Sequence, residues 1–278
     1  MNSRGAISYL GPMATFTHQA AWKVFGQEAD YRPAESIDEV FAMVQQGEAL
    51  RGVVPVENSN EGVVNSTMDL LVDSSLVITG EVVLPIRLML LSREDEKESI
   101  GTVYSHPQAL AQCRKWLRDN LQGAVLVDTR STAQAAELCR EKAGSASVAG
   151  ELAAELYGIP ILHKDIGDWE ENLTRFLVIS GRSAAPSGND KTSLVFSIKD
   201  RVGALYEMLK PFGESGISLT KIESRPSRKK AWDYVFFVDF DGHMDDPKVK
   251  STLEELEELC LFLKVLGSYP KGTVEADD

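Results

Sequence analysis

Residues 180–192, SGRSAAPSGNDKT, interrupt the hydrophobic patterning of the chain. Ser, Gly, Pro and Ala replace periodic apolar residues there, which is the composition of a linker. The chain has 278 residues, a length that suits about two domains with a sizeable core. The break therefore predicts a first unit over residues 1–182, a linker over 183–190 and a second unit over 191–271.

The two sides of the break carry different patterns. Before it, Ala6–Leu10 reads as a strand and about Thr15–Phe25 as a helix. Ser36-Ile-Asp-Glu39 matches a capping box, and Ile37, Val40, Phe41 and Val44 make one helical stripe after it. Gly52–Val56 is a strand, Val63–Leu71 a helix, Val82–Leu91 extended and Thr102–Ser105 a short strand. Helix Gln108–Asn120, strand Ala124–Asp128, helix Thr132–Glu141, strand Ala146–Ala149 and helix Glu151–Tyr157 follow. This alternation predicts an α/β fold with largely parallel sheets. After the break the order is strand Ser193–Lys199, helix Ala204–Glu214, strands Ile217–Arg225 and Trp232–Phe240, helix Lys248–Leu259 and strand Phe262–Ser268. That is βαββαβ, the order of a small ferredoxin-like domain.

Composition narrows the function. Hydrophobic content of 43% with 26% charged residues is ordinary for a globular protein. A formal net charge of −13 opposes general binding to nucleic acid or an anionic membrane, which need a broad positive field. An anionic small substrate then needs a local positive pocket. The N-terminal MNSRGAISYLGPMATF lacks a signal-peptide core, and Glu81, Pro85 and Arg87 interrupt the longest apolar stretch, so a cytoplasmic protein is expected. Cys113, Cys139 and Cys260 are far apart and read as reduced thiols. His18, His106, His163 and His243 are scattered, with no triad or metal spacing. There is no nucleotide fingerprint, and no cofactor or metal is expected.

Four strand-to-helix junctions share a composition: GPMATFTHQ (11–19), ENSNEGVVNST (57–67), SHPQAL (105–110) and DTRSTAQAA (128–136). In a parallel sheet such junctions lie at the carboxyl ends of strands, where open α/β folds bind ligands. A helix N-terminus offers free N–H groups to an anion. One terminus contributes ~0.3–1 kcal/mol when exposed and ~2 kcal/mol when partly buried, so several together could hold a dianion. Each junction alone is accounted for by ordinary capping, and Ser105 and Thr132 suit that role. Glu57-Asn58-Ser59 holds more polar groups than one cap needs. Asp165, Asp168, Glu170 and Glu171 read as a solvated acidic loop, and Arg225-Pro-Ser-Arg-Lys-Lys230 as a hairpin tip. Thr174-Arg175-Phe176 opens the apolar run Leu177-Val178-Ile179. Alternation sends Thr174 and Phe176 to one face and Arg175 to the other. These three are either an ordinary start of a strand or groups facing a site.

Several segments carry a resemblance. YLGPMATFTHQAA (9–21), VPVENSNEGVVNSTMDLL (54–71), SHPQALAQCRKWL (105–117), STAQAA (131–136), AELYGIPIL (154–162) and NLTRFLVI (172–179) resemble the prephenate dehydratase family. GALYEMLKPF (203–212) and ISLTKIESRP (217–226) resemble its phenylalanine-binding ACT domain. With no chorismate mutase segment read before Gly5, the likeness is to the monofunctional form. The resemblance implies a two-lobed catalytic unit like type II periplasmic binding proteins. One lobe would span about 1–80 and 165–182, the other about 81–164, with the site between them. It implies conversion of prephenate to phenylpyruvate with loss of carbon dioxide and water, feedback inhibition by L-phenylalanine, and a homodimer or homotetramer. The catalytic motif becomes Thr174, Arg175 and Phe176. Thr174 would contact the departing hydroxyl, Phe176 would shape the pocket or pack under the ring, and Arg175 would orient a substrate carboxylate or anchor the loop. Thr15, Asn58, Ser59, Ser105 and Thr132 are the matching substrate-binding positions. Gly203, Ala204, Leu205, Ser218, Glu223, Ser224, Arg225 and Pro226 border the implied phenylalanine pocket. The chain departs from the family at Met13-Ala14, where a Gly is common, at Val202, where Pro is frequent, and at Ser218, where Asn is frequent. Arogenate dehydratase is the rival enzyme, and a non-catalytic amino-acid sensor the rival of another class.

Overall fold

The computed structural model describes residues 5–169, 171–199, 201–226 and 234–272. Glu170, the 227–230 part of the expected basic tip and the 232–233 start of an expected strand lie outside the described residues. The chain runs β1 (Ile7–Leu10), α1 (Phe16–Phe25), β2 (Tyr31–Ala34), α2 (Ile37–Gln45), β3 (Arg51–Asn58), β4 (Gly62–Val63), α3 (Asn65–Asp73) and β5 (Val77–Pro85). It continues through β6 (Met89–Ser92), β7 (Thr102–Ser105), α4 (Pro107–Gln112), α5 (Arg114–Asn120), β8 (Val125–Asp128), α6 (Thr132–Glu141), β9 (Ser145–Ala149), α7 (Glu151–Tyr157) and β10 (Ile161–His163). β11 (Leu173–Ser180) precedes β12 (Asp190–Ser197), α8 (Ala204–Glu214), β13 (Leu219–Pro226), β14 (Tyr234–Asp241), α9 (Pro247–Leu259) and β15 (Phe262–Pro270).

Three sheets result, ordered β2-β1-β3-β11-β5 with β4 beside β3, β10-β6-β9-β7-β8, and β13-β14-β12-β15. The first two are mixed, which corrects the expectation of largely parallel sheets. β5 leaves the first lobe and β11 returns beside it, so β11 runs antiparallel to β3 and β5. In the second lobe, β6 is likewise antiparallel to β9 and β10. β5 stays in the first lobe as far as Pro85, past residue 80, because Val82 and Leu84 pack with Tyr9, Val53 and Phe176. The third sheet has the βαββαβ order expected of an ACT domain. Among the described residues no helix is long and apolar enough to cross a membrane.

Local chemistry sets the helix ends. Ser36 caps α2 by accepting Glu39 N–H, while the Glu39 carboxylate reaches back to Glu35 N–H. The helix expected over Gln108–Asn120 breaks at Cys113, and Asp168 accepts Lys115 and Trp116 N–H at the new start. Asp168 is thus a helix cap, where a solvated loop charge was expected.

The loop between β1 and α1 is held by His18, which is 3% exposed and stacks on Tyr9 with ring centroids 4.6 Å apart. Its Nδ1 accepts Ala14 N–H at 3.1 Å. Ala14 has φ 69°, the left-handed region that glycine adopts without strain. Its methyl is buried in one cluster with Met89, Leu91 and Ala133 of the second lobe.

The third sheet is not tethered loosely. α8 and α9 cover one of its faces. The other face puts Val195, Phe237, Leu266 and Tyr269 into one core with Val54, Val56, Ile78, Leu177 and Ile179 of the first lobe. A Cβ at Gly267 would fall on the Ile78 backbone, so glycine permits this approach. Within the contact lies a charge cluster. Arg175 Nε donates to Glu81 at 2.6 Å, one terminal nitrogen to Asp239 at 2.6 Å and the other to the Tyr269 hydroxyl at 2.9 Å. Lys191 Nζ gives Glu81 a second cation at 2.7 Å. Burial pulls the Arg175 guanidinium down, but Tyr269, Asp239 and Glu81 outweigh it and hold it above its ordinary range.

Two predictions follow from these buried groups. Burial lowers the His18 pKa from 6.5 to about 4. The unfolded chain therefore takes up this proton first, so the stabilisation is complete above pH 6.5 and is lost as pH falls toward 4. The loss is about 3 kcal/mol at most; His18→Gln should flatten that limb of a stability–pH curve, and an unchanged limb would count against it. Glu81→Gln leaves Lys191 without its buried carboxylate and Arg175 with Asp239 as its one remaining counter-ion. It should cost ~3–5 kcal/mol in denaturant unfolding, and a shift under ~1 kcal/mol, the worth of an exposed pair, would show the cluster to be solvated.

Candidate active site

Between the two lobes lies a cleft of ≈ 420 Å³, with Thr174, Phe176 and Asn58 on one wall and Gln108, Gln112, Arg130 and Thr132 on the other. Hollows of ≈ 470 Å³ and ≈ 560 Å³ elsewhere are larger, but neither reaches β11 beyond Ser180. The cleft is where the polar groups converge.

The centre of the wall is made by strand register. Thr174 on β11 sits opposite Asn58 on β3, and Asn58 Nδ2 donates to Thr174 Oγ1 at 2.8 Å. The Asn58 amide cannot turn over freely, because its Oδ1 accepts the N–H groups of Asn60 and Glu61. Thr174 Oγ1 is thus an acceptor toward Asn58, and its own proton has no acceptor among the described residues. A buried hydroxyl held in this way is a hydrogen-bond donor aimed by its neighbour. Asn58 also donates to Asn172 Oδ1 at 2.8 Å, and Asn172 Nδ2 donates to Gln112 Oε1 at 3.0 Å. That last bond crosses from the first lobe to the second, so an amide chain spans the cleft.

Asn58 was expected at a helix start, but it ends β3, and α3 begins only at Asn65. Two other junctions present hydroxyl-capped helix starts to the cleft, and α4 also begins there, at His106 and Gln108. Thr15 caps α1 by accepting His18 N–H, and Ser131 caps α6 by accepting Gln134 N–H. Thr132 is the first residue of α6 and lines the cleft, so the cap is one residue earlier than expected. The first N–H groups of both helices keep no intrahelical acceptor and remain available to an anion. The lining holds one guanidinium, Arg130, and one carboxylate, Glu35. Arg130 has no carboxylate partner among the described residues.

Some expected residues are elsewhere. Ser105 is fully buried and donates to Val148 O at 2.6 Å, and His106 caps α4 in its place. Ser59 stitches the strand ends, accepting Leu173 N–H and donating its own N–H to Leu173 O. Arg175 turns its side chain to the third sheet, as alternation requires, and cannot orient a carboxylate in the cleft. Sequence reading missed Arg130, Gln112 and Asn172. The spacing of Gln108 and Gln112, one helical turn apart in an apolar helix, was the available signal for one of them.

The expected phenylalanine positions do not form one cluster within the chain. Gly203, at φ 82°, precedes α8, with Ala204 buried and Leu205 half-buried. Glu223, Ser224 and Pro226 lie at the far end of β13, while Ser218 precedes its first residue and lines the 470 Å³ hollow. Ser218 is separated from them along β13 by about 16 Å at Glu223 and about 26 Å at Pro226, at strand rise. Arg225 is buried against the catalytic unit, bonded to Asn65 O at 3.0 Å and to Asp69 at 2.9 Å.

The family model for prephenate dehydratase matches residues 7–184, and that for the ACT domain matches residues 192–258. The chain is 52% identical over 269 residues to the bifunctional chorismate mutase/prephenate dehydratase of Aquifex aeolicus, covering 97% of this chain and 74% of that protein. It is 40% identical over 285 residues to arogenate dehydratase/prephenate dehydratase 2 of Arabidopsis thaliana, covering 98% and 74%. The crystal structure of the Arthrobacter aurescens prephenate dehydratase in complex with L-Phe superposes with a TM-score of 0.87 at 35% identity, covering 95% of this chain and 89% of that one. With its cleft between two lobes and its docked regulatory sheet, the chain belongs to the prephenate dehydratase family and carries an ACT domain after the catalytic unit.

Proposed function

We propose that this chain converts prephenate to phenylpyruvate in the interlobe cleft, with Thr174 as the group that assists the departing hydroxyl. The observation that carries this is the Thr174 hydroxyl, oriented by Asn58 with its proton free. In the reaction the bond to the ring carboxylate breaks and carbon dioxide leaves. That electron pair enters the ring, and the C–O bond opposite breaks as the ring becomes aromatic. Hydroxide leaves and must gain a proton to become water. A threonine hydroxyl is a very weak acid, so Thr174 acts as a positioned donor or relay. General-acid help of this kind contributes ~10²–10⁴-fold. Phe176 supplies an apolar wall for the ring, and Arg130 with the starts of α1 and α6 balances the two carboxylates in an acidic protein.

The catalytic unit is assigned to residues 1–182 and the regulatory unit to 191–271, acting in the cytoplasm as a homodimer or homotetramer. L-Phenylalanine is assigned to the ACT surface near Gly203, Ala204, Leu205, Glu223, Ser224 and Pro226, completed by a second subunit. For inhibition it must favour the less active state, and substrate then weakens its binding by the same factor. The bifunctional naming of the Arabidopsis relative supports arogenate as a second substrate.

Pure protein incubated with prephenate should form phenylpyruvate above the spontaneous rate, and no turnover would end this reading. Phenylalanine formed from arogenate in a parallel assay decides between the substrates. Arg130→Gln should raise KM for prephenate by about tenfold with a smaller effect on kcat, the loss expected for one charged contact; an unchanged KM would remove Arg130 from the site.

A further inference from the structure

β11 serves two chemistries on alternate residues. Thr174, Phe176 and Val178 face the cleft and the α1 side, while Arg175, Leu177 and Ile179 face the ACT sheet. β3 repeats the division next to it. Asn58 bonds Thr174 in the cleft, and the preceding Glu57 is held by Lys221 of β13 at 2.7 Å. The hydroxyl and the amide at the centre of the site are each one residue from an ionic anchor to the other domain, buried at Arg175 and half-buried at Glu57.

We propose that Arg175 is a positioning residue for Thr174, and that Asp239 and Tyr269 of the ACT domain complete the geometry of the cleft from behind. This rests on the reading of Thr174 above. The side chain of Arg175 is fixed in three directions, by Glu81 from β5, Asp239 from β14 and Tyr269 from β15. The ACT partners are fixed in turn. Ser193 Oγ donates to Asp239 at 2.5 Å and lies 2.5 Å from the Tyr269 hydroxyl. With the serine proton committed to Asp239, Tyr269 donates to Ser193 and accepts from Arg175. Every proton in this set has one place to go.

The consequence is directional. A residue whose side chain is clamped on one face of a strand cannot rotate its backbone without breaking three charged or polar contacts. Its neighbour Thr174 inherits that restraint through the shared peptide. Movement of β14 or β15 relative to β5 alters the Arg175 clamp and with it the Thr174–Asn58 bond of 2.8 Å. The regulatory sheet thereby reaches the reacting group without entering the cleft.

Lys264 supplies the comparison that separates positioning from simple docking. It joins the same two domains by donating to the carbonyls of Leu71, Val72 and Ser74 at the end of α3, away from Thr174.

The test uses the full chain with 15N-labelled asparagine, in wild type, Asp239→Asn, Tyr269→Phe and Lys264→Met. Tyr269→Phe keeps the ring and removes one hydroxyl, so the question survives if Asp239→Asn does not fold. In the Asp239 and Tyr269 variants, solvent exchange of the Asn58 side-chain amide should quicken by about tenfold as its bond to Thr174 loosens. Their kcat for prephenate should fall by about tenfold with KM nearly unchanged, as misplacement of a reacting group predicts. Lys264→Met should lower thermal stability while leaving both readouts at the wild-type value. Unchanged Asn58 exchange and kcat in Tyr269→Phe would overturn the proposal. So would equal changes in Lys264→Met at equal loss of stability. Wild-type protein without prephenate turnover refutes the functional reading alone, and the Asn58 exchange still decides the positioning role.

Discussion

The antiparallel pairing of β11 with β3 is the constraint on which the site and the domain contact both depend. It sets Thr174 against Asn58 and Arg175 against Glu57. Because side chains alternate with period two, a slip of one residue would put Arg175 into the cleft and Thr174 against the ACT sheet. The buried cluster of Arg175, Glu81, Lys191 and Asp239 opposes such a slip, since it would strand charges without partners. The same contacts that hold two domains together therefore hold the catalytic register.

The cleft solves an electrostatic problem locally. The chain carries a net charge of −13, yet the site must accept a dianion. Arg130 and two helix starts provide positive potential at the cleft, and the flanking amides of Asn58, Asn172 and Gln112 are neutral. Much of the protein's positive charge is used elsewhere, in pairs such as Lys221–Glu57 and Arg225–Asp69 between the domains. Charged groups at the domain contact and neutral donors in the cleft are separated by the thickness of one strand.

Local pattern carried much of the fold. The Ser36 cap and the βαββαβ order of the second unit depend on neighbours in sequence, and they could be read from it. Alternation likewise separated Thr174 from Arg175 before any partner was known. What the pattern could not convey was long-range pairing. The return of β11 between β3 and β5 made the first sheet mixed, and β3 pairs with it as far as Asn58, so that residue ends a strand where a helix start was read. Arg175 meets Glu81, Asp239 and Tyr269, which are 94, 64 and 94 residues away, and no periodicity relates them. Ser105 fits a cap by type, but His106 takes the cap and Ser105 turns inward to Val148. Arg130 looked like any solvated arginine until the second lobe placed it opposite Thr174.

The central claim is that the reaction depends on one oriented hydroxyl, at a position whose shape is otherwise filled by any β-branched residue. Thr174→Val keeps the volume and removes the hydroxyl, whereas Thr174→Ser keeps the hydroxyl and removes a methyl. Single-turnover rates at saturating prephenate compare the two directly. The account predicts a loss of about 10²-fold or more for valine, from the missing donor, and less than about tenfold for serine. Equal rates for the two variants, or a valine variant close to wild type, would contradict it.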